Sequence, residues 1–548
     1  MNMRGEMMDM PLMISGILQH AARCHGDREI VTRLPESGEF HRYGYADAYD
    51  RSRQLANALT KSLKVKEADR VATIAWNSHR HFELYYAVSG VGAVIHTVNP
   101  RLDPMQIVWM LDHAKSRVVF FDVQFAPLVE AIAKHCKGVK HWVVLGGTEH
   151  AAPLKTKCKA YEDLIGAHKA DYQWPVFDEN AAAGLCYTSG TTGDPKGVLY
   201  SHRSTILHAM ASCATDVIGV GARGTLMPVV PMFHVNAWGI PYATPMTGAK
   251  LVMPGARLDG EGLHEMIEGE EVSYVAGVPT VWLGLLQYLR ENNKRIDSVE
   301  RVLIGGSALP EALLRAYESE YGVTMQQGWG MTEMSPLGTV SALLPKHEDL
   351  PEDEIAKVKL KQGRLVYGVQ MRIVDDEGTE LPWDGQSSGH VHVRGPWIAS
   401  GYFRGAGAES FTDDGWFKTG DVAFMDRDGY MTITDRSKDV IKTGGEWVSS
   451  IDLENAAMGH PHVGMAAVIG KYHPKWQERP LLIVQPTPGV EPDGESIREY
   501  LAGKVPKLWV PDDVVFIEEM PIGATGKILK TKLRDMFRDY TFPGAEEV

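Results

Sequence analysis

The sequence predicts a mixed α/β protein in two parts: a large N-terminal domain of layered sheets with helices, residues 1–435, and a small α+β C-terminal domain, residues 436–548. Three observations predict it. The chain has 548 residues, too many for one ordinary hydrophobic core. Helical and strand patterns alternate through roughly the first three hundred residues, which is the signature of a covered, largely parallel sheet. After about Gly363 the texture changes to short alternating runs between Gly-, Pro- and Asp-rich turns.

Taken in order, Ala46 to Leu63 has helical spacing and Arg70 to Ala75 is a short β run ahead of the turn-prone Asn77-Ser78. Tyr85 to Val98 passes from an apolar helix into a strand, and Arg117 to Asp122 reads as a buried strand. Ala181 to Cys186 and Val302 to Ile304 have the same character. Met371 to Val374 and His390 to Val393 alternate like half-buried strands, which predicts a small antiparallel or β-barrel-like section. Asp435-Arg-Ser-Lys-Asp439 is a polar break between the apolar runs Tyr430 to Thr434 and Val440-Ile441, and the domain boundary is expected there.

Composition narrows the function classes. Lys plus Arg number 56 against 70 Asp plus Glu, a formal net charge of −14. That surplus repels phosphate backbones, so nucleic acid is not an expected partner, while a local cluster of donors can still hold a small anion. The five cysteines include no C-x-x-C pair, which suits a reducing, cytoplasmic setting. Glu6 and Asp9 interrupt the N-terminus where a signal peptide needs an apolar core. The most apolar stretch, Tyr85 to Ile95, is broken by Gly90 and Gly92 and is too short to span a bilayer.

The densest chemical signal is Tyr187-Thr-Ser-Gly-Thr-Thr-Gly-Asp-Pro-Lys-Gly-Val198. Gly190 and Gly193 let backbone N–H groups point at one centre; Thr188, Ser189, Thr191 and Thr192 add hydroxyl donors, and Lys196 adds charge. Such a loop suits a polyphosphate, and it is not a Walker A loop. A plain surface turn has no need of so many donors beside a lysine.

This string resembles the signature of the adenylate-forming superfamily: acyl-CoA synthetases, amino-acid adenylation domains and beetle luciferases. Further resemblances follow in order along the chain. Pro231-Met-Phe-His234 is similar to the family's aromatic-His segment, and Gln327-Gly328-Trp329-Gly330-Met331-Thr332-Glu333 to its adenine and magnesium motif. Thr419-Gly-Asp421 is similar to the ribose motif, Asp435-Arg436-Ser-Lys438-Asp439 to the hinge, Gly444-Gly445-Glu446 to the turn after it, and Pro521 to Lys527 to the catalytic lysine loop.

The resemblance implies an ATP-dependent acid–thiol ligase with a mobile C-terminal domain. Two anions must meet when a carboxylate attacks the α-phosphate of ATP, and that calls for localised positive charge. Lys527 is then the catalytic lysine of adenylation, Glu333 the Mg²⁺ ligand, and Thr332 and the phosphate loop neutral donors. Asp421 and Arg436 hold the ribose. Gly305, Gly306 and Ser307 approach the purine, and Trp329 stands where the family more often has Tyr. Lys438 is the expected hinge, about which the domain rotates to bring Gly444, Gly445, Glu446, Trp447 and Glu478 to coenzyme A. His234, Val235, Trp238, Gly305 and Pro336 are the expected acyl pocket, His234 and Trp238 standing one helical turn apart.

Amino-acid adenylation domains usually carry Asp where His234 stands, so an amino acid is not the expected substrate. Trp238 projecting into the cavity favours a short- or medium-chain acid, and the broader pattern looks like medium-chain fatty-acid-CoA ligases and methylmercaptopropionate-CoA ligases. The expected partners are the carboxylic acid, ATP with Mg²⁺, and CoA; the resemblance allows a homodimer. Two rival readings are a ligase that loads a carrier protein in trans and a nucleotide-binding relative without catalysis, against which Glu333 and Lys527 speak. Gly219 to Gly224 satisfies G-x-G-x-x-G but precedes Thr225-Leu-Met-Pro228 rather than a helix, so it is read as a loop.

Overall fold

A computed structural model describes residues 3, 5–188, 194–436, 439, 441–443, 446–523 and 527–543, with backbone alone for Arg436, Glu446 and Trp447. Among the described residues the strands form three sheets. The first has the order Cys158–Ala160, His141–Leu145, Ser116–Asp122, Arg70–Ile74, Val94–Thr97, Ala182–Tyr187 and Gly197–Ser201, parallel but for the last. Its strands are apolar on both sides. Trp142 and Val144 join one core cluster while Val143 and Leu145 join another, as a sheet covered on both faces requires.

Helix His79–Gly90 packs on this sheet with every residue buried. Its Glu83 is 2.7 Å from Arg51 of helix Tyr45–Asn57 and accepts the Tyr161 hydroxyl, so the one acid in an apolar helix is compensated. The expected helix Ala46 to Leu63 is α-helical to Asn57 and then widens into the turn Ala58–Ser62.

In the second sheet, Glu29–Arg33, Lys250–Met253, Thr225–Pro228, Tyr274–Gly277, Arg301–Ile304 and Thr324–Gly330 run parallel. Val275, Val302 and Met325 pack there on Trp282, Leu285 and Tyr317 from helices Pro279–Glu291 and Glu311–Tyr321. The path then turns antiparallel through Leu337–Val340, Gly363–Leu365, Tyr430–Arg436, Phe417–Met425, Ser388–Arg394 and Gln370–Val374. The antiparallel section expected from Gly363 thus begins at Leu337, and a register shift between Trp329 and Gly330 marks the change.

The third sheet pairs Glu446–Val448, Ile441–Thr443, Gln477–Pro486 and Val463–His473, with Asp513–Phe516 parallel to Gln477–Pro486. Helices Ser450–Ala457 and Gly494–Ala502 cover one face through Leu453, Ile497 and Leu501, and Lys530–Met536 covers the other through Leu533. The strand Tyr430–Arg436 runs through Asp435, whose carboxylate accepts the Ser450 N–H at 3.0 Å. Among the described residues no helix is long and apolar enough to cross a membrane.

Candidate active site

A cavity of about 830 Å³ opens where the parallel sheets, the antiparallel section and the C-terminal sheet meet. Strand Ala182–Tyr187 delivers Thr188 to it, and the Thr188 N–H donates to the Lys196 carbonyl at 2.9 Å, closing the base of the phosphate loop. The expected donors Ser189, Gly190, Thr191, Thr192 and Gly193 lie outside the described residues. Lys196 lines the cavity, its Nζ 3.3 Å from Glu409 Oε1 and 5.1 Å from the centre of the Tyr402 ring.

Tyr402 links this cation to Glu333. Its hydroxyl donates to Glu333 Oε1 at 2.6 Å, and burial beside that carboxylate raises the phenol pKa. Glu333 is 7% exposed on the short turn Thr332–Met334, and the Thr332 carbonyl accepts the Tyr200 hydroxyl at 2.7 Å. One carboxylate oxygen is thereby fixed by a neutral donor.

The adenine and ribose motifs meet directly. Trp329 Nε1–H donates to Asp421 Oδ2 at 2.9 Å, and both residues are buried. The Trp found where Tyr is commoner has an N–H to give, so the indole orients the acid. Gly328, Trp329, Gly330, Met331, Thr332 and Glu333 line the cavity. Gln327 does not: its Oε1 accepts the Leu309 N–H and its Nε2 donates to the Leu360 carbonyl, so its amide serves the scaffold. Arg436 stands opposite Asp421 in the strand pairing, and its side chain lies outside the described set.

Gly305, Gly306 and Ser307 line the cavity after strand Arg301–Ile304. A Cβ on Gly305 would stand 3.0 Å from Cη2 of Trp238, so glycine makes room for the indole. Gly306 has φ +84°, and a Cβ there would stand 3.4 Å from Cε of Lys527. Lys527 therefore enters the cavity against Gly306. His234 lines the same cavity: burial and then the Lys527 charge push its imidazole pKa down to about 4, so the ring is neutral at pH 7.

His234, Val235, Trp238 and Pro336 all line the cavity. The turn that spaces His234 and Trp238 differs from expectation. Val235, Asn236, Ala237 and Trp238 have φ of 41°, 57°, 46° and 56°, and Gly239 follows at 79°. This is a left-handed turn, so the spacing rule of right-handed helices does not apply to it. Left-handed helical backbone costs about 1–2 kcal/mol per L-residue, and it persists only where the surroundings over-determine it.

Of the CoA-side expectations, Glu478 is not among the residues that line this cavity. Glu478 Oε2 accepts the Lys442 N–H at 3.0 Å within the C-terminal sheet. Lys438, Gly444 and Gly445 lie outside the described residues, as do the side chains of Glu446 and Trp447. Among the cavity residues that went unread in the sequence are Tyr402, between Gly401 and Phe403 and part of no named motif, and Arg101, whose guanidinium is 5.2 Å from the Trp76 ring.

Comparison with known proteins gives the same outline. The AMP-binding enzyme model matches residues 18–403 and the AMP-binding enzyme C-terminal domain model matches 452–527. The chain is 50% identical to a 3-methylmercaptopropionyl-CoA ligase of Ruegeria lacuscaerulensis, over 98% of this chain and 99% of that protein. It is 48% identical to a medium-chain-fatty-acid–CoA ligase of Ectopseudomonas oleovorans over the whole of both. Among solved structures it is similar to an anthranilate CoA ligase in complex with anthranoyl-AMP, with TM-score 0.86 and 25% identity over 97% and 98% of the two chains.

Proposed function

The chain belongs to the AMP-binding enzyme family, and from that premise we propose that it is an AMP-forming acyl-CoA ligase acting on a short- or medium-chain acid, a fatty acid or methylmercaptopropionate. The observation that carries the mechanism is the approach of Lys527 to Gly306 in the cavity that His234, Lys196 and Glu333 also line. In the first half-reaction an acid carboxylate oxygen bonds to the α-phosphorus of ATP and pyrophosphate leaves. Lys527 holds the two anions together, Lys196 faces the polyphosphate, and Trp329 fixes Asp421 for the ribose hydroxyls. Neutral His234 borders the acyl carboxylate without adding a second full charge. In the second half-reaction the CoA sulfur bonds to the acyl carbon and AMP leaves.

Glu333 fits one ligand of a Mg²⁺ ion that accompanies the phosphates, being a hard oxygen donor oriented by Tyr402. Among the described residues no group of three or more His, Cys, Asp or Glu is placed to hold a metal. When bound, such an ion would neutralise phosphate charge. We place the domain boundary at residues 435 and 436 and the hinge at Lys438, with Gly444 to Trp447 and Glu478 turned toward CoA once Lys527 withdraws. The enzyme is taken to be cytoplasmic and homodimeric.

Two sequence relatives support the acid class by what they are named for, a thioether acid and medium-chain fatty acids. The test is pyrophosphate release from Mg-ATP across acids from acetate to dodecanoate, with methylmercaptopropionate, benzoate and amino acids, each with and without CoA. Release that depends on a short or medium acid, with CoA consumed and AMP formed, is the expected result. Release without CoA consumption would instead favour a carrier-protein acceptor.

A further inference from the structure

The left-handed turn Val235–Gly239 is bolted to one buried helix. The Tyr85 hydroxyl, on helix His79–Gly90, faces the Met232 carbonyl and lies 3.1 Å from Asn236 Oδ1. The Tyr86 hydroxyl donates to the Pro241 carbonyl at 2.8 Å, just beyond the turn. Ahead of the helix, the Asn77 amide donates to the Pro228 and Val230 carbonyls at 2.8 and 3.0 Å and accepts the Met232 N–H at 2.6 Å. The segment is thus gripped before, within and after the turn. Asn236 is the inner grip: it is 7% exposed, and Asn tolerates left-handed backbone better than other residues with a Cβ.

What the turn carries is the wall of the acid pocket. His234 precedes it, and Trp238 within it lies over Gly305 with no room for a Cβ between them. The far end is equally tight. A Cβ on Gly239 would stand 2.7 Å from His208 Nδ1, and His208 Nε2 accepts the Leu337 N–H at 3.3 Å. Released from its grips, a turn of this hand would relax toward right-handed backbone, and Trp238 would leave the position that bounds the pocket. The Asn236 oxygen also lies 3.6 Å from Cys186 Sγ, on the strand that feeds the phosphate loop.

We infer that Tyr85 and Asn236 are positioning residues that set the acid selectivity of the enzyme by holding the left-handed turn, and with it Trp238, in place. The inference rests on the acyl-CoA ligase reading and on Trp238 lining the acyl end of the cavity. Neither residue touches substrate; both act through the turn. A single oxygen removed by Tyr85→Phe keeps the aromatic packing, and Asn236→Gly keeps left-handed backbone accessible while removing the acceptor.

The experiment measures kcat/KM for a series of straight-chain acids and methylmercaptopropionate, and KM for ATP, in wild type, Tyr85→Phe and Asn236→Gly, with Tm alongside. In wild type, one chain length is expected to be favoured. Both variants should flatten the profile, lowering the preference between the best acid and one four carbons longer by about tenfold through KM for the acid. For Tyr85→Phe the KM for ATP should stay within about twofold. Profiles parallel to wild type, whatever happens to Tm, would show the grip to be structural only and overturn the inference. An equal rise in both Michaelis constants would overturn it too, since the effect would not belong to the acid pocket. Absence of acid activation by wild type fails the ligase reading itself, and that arm is read first.

Discussion

Glu333, Trp329 and Asp421 are 7%, 8% and 5% exposed, and each is held by a partner from a different stretch of chain: Tyr402 for Glu333, and Trp329 and Asp421 for one another. Lys527 enters the cavity that Glu333 and Trp329 line. Gly523 N–H donates to the Lys527 carbonyl at 2.7 Å, Leu529 N–H donates to the Pro521 carbonyl at 2.8 Å, and the neighbouring Ile522 and Leu529 are 45% and 37% exposed. One side of the reaction centre is packed in and the other is inserted. The difference has a physical use. On the proposed mechanism, groups needed for the nucleotide throughout both half-reactions are fixed by burial, while the cation needed only to join acid and phosphate sits beside partly exposed neighbours and can withdraw.

Removing the inserted side should have the largest effect. Lys527→Ala is expected to lower acid-dependent pyrophosphate release by about 10²–10³-fold, while thiolysis of a supplied acyl-adenylate stays within about threefold. Equal loss of both half-reactions would erase the division between a permanent and a transient side. On the fixed side, Glu333→Gln is expected to cost about a hundredfold in the same rate, with partial recovery as Mg²⁺ is raised. Tyr402→Phe should cost about tenfold, because Glu333 keeps its charge and loses only its orienting donor. Titrating Mg²⁺ at fixed ATP separates the two: a Tyr402→Phe enzyme with wild-type Mg²⁺ dependence would detach Tyr402 from the acid.

Both sides were partly legible in sequence. Trp329, Thr332, Glu333, Asp421 and Lys527 sit in short strings whose residue types are dictated by the chemistry, so a local reading finds them. Tyr402 escaped because its contact with Glu333 spans 69 positions, and no local pattern records a partner that distant. Gln327 stands inside a motif, yet its amide is used by Leu309 and Leu360, which only packing reveals. The parallel strands were legible from runs apolar on both faces. The left-handed turn was not: of Val235 to Gly239 only Asn236 and Gly239 favour positive φ, and the Tyr85 hydroxyl that meets Asn236 comes from some 150 residues away. The antiparallel section was placed late because Leu337 to Val340 is too short to show alternation.

A third test sharpens the fixed side by pH. Burial pushes His81 and His202 down to about 4 and His96 and His208 to about 3, all four in the N-terminal core. An unfolded imidazole takes its proton near pH 6.5, so between there and about pH 4 the unfolded chain binds more protons than the folded one. Their contribution is therefore complete above about pH 6.5 and is lost as pH falls toward 4, by up to about 1.4 kcal/mol per proton per pH unit. Denaturant unfolding at pH 7.5 and pH 5, followed by tryptophan fluorescence, should show the midpoint fall at pH 5. An unchanged midpoint would mean that these rings protonate without unfolding the core.

The smallest effect is expected at an exposed ion pair beside the cavity, which solvent screens. Lys196, proposed to face the polyphosphate, is 3.3 Å from Glu409, whose side chain is 77% exposed. An exposed pair of this kind is screened and contributes little, so Glu409→Gln should change KM for ATP by less than about twofold. The direction is informative even so. Removing the competing carboxylate frees Lys196 for phosphate, so KM should fall rather than rise, and the change should vanish as salt is raised. A large rise would mean that Glu409 orients Lys196 as Tyr402 orients Glu333, and the phosphate loop would then belong with the packed side.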